Sequence, residues 1–506
     1  MASDLPKLPE SAGRWYQGIS QYQWLVLVIA SAGWVFDVFE GQVFVASMRE
    51  SMPALLGVDA DHPSARSWIN WSFGSFLLGG AFGGVLFGIL SDKIGRSRTM
   101  IVTILFYSLF TCITALAQEP WQMVTLRFFV AMGVGGEWAV ASAMVAEVMP
   151  DRSRPVMSSI FHASSVFGTL LAAAVGAFVV GNTDVLGPSS WRYGFAIGAA
   201  PALLTLLVRW KLKDPEQAVK ARERAGQAGG KQTGRLIELF QGVHLRNTLV
   251  GVGLASVGLV TFWGGHIYGK NALLRRAQQQ VLVEEGVPLV GPGQDAPEGE
   301  QTEYKERRKE VFEKHHGRIK SAEMLSMVLN TIGGGLGLVL FGTISTWLGR
   351  KRAFILYHVV AFFMVFLLFK VLLEGNYSTL LLAITLPVFG FFTLGMHAGY
   401  AVYFPELYPT RLRSTGAGFC FNMGRLATAA AFFGFGVAPV SPEKKAILLA
   451  PLYLVGVVIV LFARETRDQV LQDLDMDTSP PGTGVPDGTG VSEYLQPRED
   501  PGQGEV

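Results

Sequence analysis

Charge is scarce in this 506-residue chain: Asp, Glu, Lys and Arg make up only 16% of it, against about 25% in ordinary soluble domains. Too little polar surface is left to coat a water-soluble globule of this size. The two signs nearly cancel, 42 Lys and Arg against 40 Asp and Glu, so no basic face is available and nucleic acid is excluded as a partner. Cysteine is almost absent. Cys112 and Cys420 are the only two, and both fall inside apolar runs, which excludes a disulfide framework and a zinc-type spacing; no metal site is expected. The N-terminal MASDLPKLPESAGRWYQ lacks the basic start, short apolar core and cleavage site of a secretory leader, and residues 1–23 read as a retained cytoplasmic lead-in. No nucleophile–base set stands among the apolar runs, so an enzyme is not expected.

What is present is apolar and small. Half the residues are hydrophobic, 59 are glycine and mean hydropathy is +0.34; close helix packing in lipid favours small residues. A spanning helix needs about 20 mainly apolar residues. Ten long charge-free runs, Ser67–Ser91, Thr99–Gln118, Pro155–Thr183, Tyr193–Val208, Asn247–Gly265, Met324–Gly349, Ala353–Phe369, Tyr377–Pro405, Leu426–Pro442 and Ala446–Ala463, join two charge-interrupted ones near 24–46 and 121–143. Twelve transmembrane helices follow. Lys93, Arg96 and Arg98, then Arg152 and Arg154, the basic stretch around 209–235, then Arg350, Lys351 and Arg352, and finally Arg411 and Arg413 each follow an even-numbered helix. By the positive-inside rule both termini are cytoplasmic in a multi-pass protein of the cell membrane.

The chain also repeats itself. GILSDKIGRSR (88–98) and GTISTWLGRKR (342–352) share Gly, Gly-Arg and Arg at identical spacing, and EVMPDRSR (147–154) and ELYPTRLR (406–413) share E-x-x-P-x-R-x-R. Offsets of 254 and 259 residues, close to half the chain, imply two six-helix halves in parallel orientation, related by an axis along the membrane normal. Residues 24–210 form the N-terminal half, 211–244 a cytoplasmic central loop and 245–465 the C-terminal half. Within the latter, 269–320 carry abundant charge and read as an extracytoplasmic insertion, part loop and part exposed helix. Residues 466–506, rich in Pro, Gly and acids, read as a disordered cytoplasmic tail.

With these loops and halves the chain resembles the major facilitator superfamily, over roughly 24–465. RFFVAMGVGGEWAVASAMVAEVMPDRSR and YFPELYPTRLRSTGAGFCFNMGR are most similar to its proton symporters of organic acids, the sialate/monocarboxylate, aromatic-acid and metabolite groups. KDPEQ (213–217) and ARETRD (463–468) are similar to acidic motifs that close each half in sugar carriers. The resemblance implies an all-α fold of two pseudo-symmetric halves, alternating access, and a central cavity lined by helices 1, 4, 7 and 10. It further implies a small organic anion, a mono- or aromatic carboxylate, moved with a proton as the coupling ion and no other cofactor; a monomer is expected. A sugar or polyol carrier of the same superfamily and a non-transporting membrane sensor are the alternatives.

Charges inside the spans need a reason, since each costs roughly 2.5–3.5 kcal/mol at a helix centre on insertion scales. In GWVFDVFEGQVF (33–44), Asp37 and Glu40 share a helix face at i, i+3. At 1.5 Å per residue Asp37 lies roughly 20 Å above the inner surface of a core about 30 Å thick. Arg127 comes to about the same depth. Asp37 and Glu40, with Glu137 deeper on the fourth helix, are the proton-coupling candidates; the expectation is that Arg127 pairs with Asp37 in the cavity or binds a substrate carboxylate. Arg425, at a Gly-Arg point similar to that of aromatic-acid carriers, joins Arg127 as an anion ligand, because a guanidinium grips a carboxylate with two parallel bonds. His397 and Tyr400 recur on one face of the tenth helix and complete the substrate-binding candidates. Gating falls to the repeated loops: Gly88, Asp92, Gly95 and Arg96, then Glu147 and Arg152, and in the second copy Gly349, Arg350, Glu406 and Arg411. Asp92 is expected to face the positive end of a helix in the other half, and Arg96–Glu147 and Arg350–Glu406 are expected to pair across the halves.

Overall fold

A computed structural model describes residues 14–471, apart from 59–61, 182, 188, 228–229, 294–295, 376, 436–440, 468 and 470. The lead-in up to residue 13 and the tail from 472 lie outside the described residues. Every regular element described is helical. In chain order the N-terminal half comprises α1 Gln21–Leu56, α2 Pro63–Ile94, α3 Arg96–Thr114, α4 Pro120–Val148, α5 Arg154–Val180 and α6 at 190–211. The C-terminal half comprises α7 Gly242–Glu284, α8 His316–Leu348, α9 Arg350–Leu373, α10 Thr379–Leu407, α11 Arg413–Phe435 and α12 Glu443–Leu461. Ten of these are long and apolar enough to cross a membrane. The other two are α6, broken at 200–203 around Pro201, whose ring removes a backbone donor, and α11, which carries Arg413 and Arg425.

The sequence repeat has a structural counterpart at one end of the bundle. Gly95 and Gly349 both adopt positive φ, 113° and 93°, a region that side chains resist, and each turns the chain between two antiparallel helices. A Cβ at Gly95 would stand 2.0 Å from Asp214 Oδ2, and one at Gly349 2.7 Å from Glu465 Oε2. Those acids hold the next helix by its free amides: Ser97 N donates to Asp214 (2.9 Å), and Arg350 N and Lys351 N donate to Glu465 (2.8 and 3.1 Å). The acids of KDPEQ and ARETRD thus cap α3 and α9.

Two boundaries differ from the sequence reading. The seventh helix does not stop near residue 265; it continues to Glu284, passing through a π-helical turn at Phe262–His266 and a turn at Lys270 and Asn271. Arg276, which looked like part of an exposed insertion, is buried because its guanidinium donates to the carbonyl of Leu372 at the end of α9 (2.5 Å). The rest of the insertion includes a second helix, Glu298–Lys314, seated on a small core of Val281, Leu282, Val287 and Val311. At the other end, Thr466 and Leu471 are buried, although the tail was expected to begin at 466: the Thr466 hydroxyl donates to Glu406 (2.5 Å), and Leu471 packs on Ala146.

Candidate functional site

At the end of the bundle carrying the repeated loops, the halves are locked by charges removed from water. Asp92, at the end of α2, accepts from the amides of Ser414 and Thr415 (3.3 and 2.8 Å) and from the Thr415 hydroxyl (2.5 Å), so it occupies the positive N-terminus of α11. Gly88, one turn earlier, makes that approach possible, since a Cβ there would lie 2.8 Å from the Ser414 carbonyl. Arg96 binds Asp92 (2.5 Å), both oxygens of Glu147 (2.8 and 3.2 Å) and the carbonyl of Thr410 (2.9 Å).

Arg96–Glu147 and Arg350–Glu406 (2.8 and 3.0 Å) do form, but within each half, where crossing pairs were expected. The pairs that cross are Arg413–Glu147 (3.0 Å) and Arg154–Glu406 (3.5 Å). In both, the last arginine of one E-x-x-P-x-R-x-R copy meets the glutamate of the other. The middle arginines named as gating residues sit elsewhere. Arg152 is exposed, and Arg411 pairs with Glu238 (2.6 Å) of the central connection. The spacing of the motif held the signal for Arg154 and Arg413: both are seven residues after their glutamate, at the first turn of a new helix.

Between the halves, away from this latch, lies a cavity of about 200 Å³. Arg425 and His397 line it, and so do Gln42 and Lys270, which the sequence reading missed. No carboxylate lines it among the described residues. Its aromatic wall includes Trp34, Phe76, Trp263 and Phe421. The Trp263 ring meets Phe73 of α2 edge-on at 4.9 Å, closing one half against the other on the far side from the latch.

The acids of α1 do not face this cavity. Trp34, Val38 and Gln42, at i, i+4 and i+8, present the cavity face, and successive residues turn by about 100°. Asp37 and Glu40 therefore point into the N-terminal half. Glu40 binds Arg127 (2.6 Å) and accepts from Thr111 (3.0 Å). Arg127 also reaches Thr114 (3.2 Å) and lies over the rings of Phe44 and Phe195. The expected Asp37–Arg127 pair is thus replaced by Glu40–Arg127, fully buried, and Arg127 does not line the cavity. Depth arithmetic fixed the height of Arg127 but not which α1 acid faced it.

Asp37 has different company. Its electrostatic neighbours are Glu137, Arg425 and Glu40, and the Tyr107 hydroxyl stands beside its carboxylate. Glu137 accepts from Thr103 (2.5 Å) and stands so close to α1 that a Cβ on Gly33 would lie 2.8 Å from its Oε1. Arg425 comes from α11, in the other half. It reaches this group through a gap on α2, where a Cβ on Gly80 would be 2.4 Å from its Nη1, and that nitrogen has no hydrogen-bond partner. Tyr400 is not a cavity residue: it donates to the carbonyl of Leu254 (3.1 Å). His397 keeps one ring nitrogen on the carbonyl of Leu394 (3.0 Å) and has the backbone of Gly258 beside it.

Residues 38–273 match the family model described as Major Facilitator Superfamily. The "Probable 4-methylmuconolactone transporter" of Cupriavidus pinatubonensis is 26% identical, with 84% of this chain and 85% of that protein aligned. The sialic acid transporter NanX of Escherichia coli is 24% identical (84% and 92%), and the niacin transporter NiaP of Acinetobacter baylyi 25% identical (90% and 98%). The solved proton:xylose symporter XylE bound to 6-bromo-6-deoxy-D-glucose superposes with a TM-score of 0.62 at 18% identity, over 90% of this chain and 99% of that one, a likeness of fold. Over residues 38–273 the chain is thus similar to the Major Facilitator Superfamily, and along most of its length it is similar to transporters.

Proposed function

We propose that the protein moves a small organic anion across the membrane together with a proton. The observation that carries this reading is the double position of Arg425, which lines the cavity and is also the cation within reach of buried Asp37. With the cavity empty, Arg425 balances one charge of the Asp37–Glu137 pair. A carboxylate arriving in the cavity competes for the same guanidinium, with the geometry a guanidinium offers to two oxygens. The acids then need a proton to replace the lost counter-charge, because buried charge left unpaired costs several kcal/mol. Anion and proton therefore load together, and the loaded centre gains no net charge.

In this reading Asp37 takes the proton, Glu137 shares it, and Arg425 holds the substrate. Arg127 and Glu40 form a fixed pair that braces α1 against α4. The names of the sialic acid and niacin transporters support an organic acid. The size of the cavity supports a small one, since about 200 Å³ lies below the range of roughly 300–1,000 Å³ typical of drug-sized ligand sites. Alternating access then consists of breaking the arginine–glutamate latch on the cytoplasmic side while the Phe73–Trp263 contact stays closed, and of the reverse.

The test is purified protein in liposomes, with internal pH followed as carboxylates and sugars are added outside. Acidification with one carboxylate is expected, lost in Asp37→Asn and in Arg425→Gln but retained by Tyr400→Phe. Proton-independent uptake of a labelled sugar, with no response to any acid, would overturn the proposal.

A further inference from the structure

Lys270 stands at one end of the cavity without an assigned task. It belongs to α7, and together with Trp263 and Ile267 it occupies i, i+4 and i+7 on the face that lines the cavity. Its height relative to Arg425 follows from close contacts between α7 and α11. A Cβ on Gly251 would press on Cys420, and one on Gly424 would press on Ala255; the two contacts share the same offset, so the helices run in parallel register. Arg425 is therefore level with residue 256, and Lys270 is fourteen residues farther from the latch. At 1.5 Å per residue the two backbones are about 20 Å apart along the axis. Trp263, which closes on Phe73, lies between them.

With backbones this far apart, the two cations stand at different heights of the one cavity that both line. From this spacing we infer that Lys270 is a separate outer station, which draws an organic carboxylate to the mouth of the cavity before it passes the Trp263–Phe73 contact to Arg425. This inference rests on the anion reading proposed above and adds the order in which the anion meets its cations. The setting suits the role. Nothing acidic lines the cavity among the described residues, so a carboxylate at the mouth meets no competing charge. A lone positive charge in a low-dielectric funnel raises the local anion concentration and the on-rate, an effect that salt suppresses. The π-helical turn at Phe262–His266, a distortion common at functional sites, lies on the segment joining the two stations.

The experiment is initial-rate uptake of radiolabelled nicotinate into cells producing the wild type, Lys270→Gln, Lys270→Arg or Arg425→Gln, with efflux from preloaded cells as the second readout. Lys270→Gln is expected to raise the KM for uptake about tenfold at low ionic strength, to keep the maximal rate within twofold, and to converge on the wild type at high salt. Lys270→Arg should restore the KM, and efflux should be unchanged by either Lys270 variant. Arg425→Gln should lose saturable transport in both directions. An unchanged KM in Lys270→Gln, or a loss of maximal rate in both directions like that of Arg425→Gln, would overturn the outer station while leaving anion transport standing. If the liposome assay shows no response to any acid, the anion reading falls and the outer station with it; the carboxylate that does respond there replaces nicotinate where nicotinate is not carried.

Discussion

Arg413 Nη1 lies 3.0 Å from Glu147 Oε1, although the two residues come from opposite halves. The equivalent residues in the other copy of the motif, Arg154 and Glu406, are 3.5 Å apart. Each half lends an arginine to the glutamate of its partner. Arg413→Ala removes one member of a buried network and is expected to cost about 3–5 kcal/mol. Two measurements check this: the melting temperature in detergent should fall, and a cysteine introduced at Thr428 on the cavity wall should react faster with a reagent applied from the latch side.

The two turn glycines should be unequal in their tolerance. Backbone of this kind costs roughly 1–3 kcal/mol for any other residue, and the added methyl meets Asp214 at 2.0 Å but Glu465 at 2.7 Å. Gly95→Ala should therefore destabilise the protein more than Gly349→Ala, by thermal melts of the purified variants.

Asp92→Ala removes the cap of α11 and leaves Arg96 with Glu147 and the Thr410 carbonyl. Loss of a cap costs about 0.5–2 kcal/mol, and here the buried guanidinium loses a charge partner as well. A larger loss than for an ordinary cap is expected by the same melts, with Asp92→Asn intermediate because it retains an acceptor for the Thr415 amide.

Glu40 and Arg127 are expected to be structural. Glu40→Gln leaves a buried guanidinium without its charge partner and should destabilise by about 3–5 kcal/mol, whereas the double change Glu40→Leu with Arg127→Met should recover much of it. Proton-driven accumulation by the double variant should persist in liposomes; its loss would return these two residues to the coupling machinery.

Outside the spans, Glu285 receives Lys314 and His315 at 2.8 Å each, and these contacts hold its carboxyl below its ordinary value of 4.5. A depressed carboxyl stabilises the fold fully above the unfolded value and loses that contribution as pH falls through the folded one. The packing of helix Glu298–Lys314 should thus be unaffected from pH 7 to about 5 and loosen below about 4.5, with hydrogen exchange over 285–315 as the measure. Glu285→Gln should remove the pH step.

The repeat, the count of spans and the placement of Asp92 were legible because they depend on spacing along the chain and on where charges interrupt apolar runs. The azimuth of α1 was not. Apolar residues surround Asp37 and Glu40 on all sides, so a rotation by one residue leaves the pattern equally acceptable, and only the glycines at 33 and 80 record which neighbours approach. Lys270 escaped for another reason: the charge-rich residues after it made the seventh helix look finished, although Trp263, Ile267 and Lys270 already continued its period. Arg154 and Arg413 were overlooked in favour of Arg152 and Arg411 because sequence spacing shows which arginines could reach a glutamate but not which half they would reach it from.

The exchanged arginines also bear on how the protein is made. Glu147 emerges from the ribosome 266 residues before Arg413; at about 5–20 residues per second that is a wait of roughly 13–53 s. Within its own half Glu147 is held by Arg96 in that interval. The first half must therefore enter the membrane with its lock unfinished, held by its own glycine-packed helices until the second half delivers the missing charge.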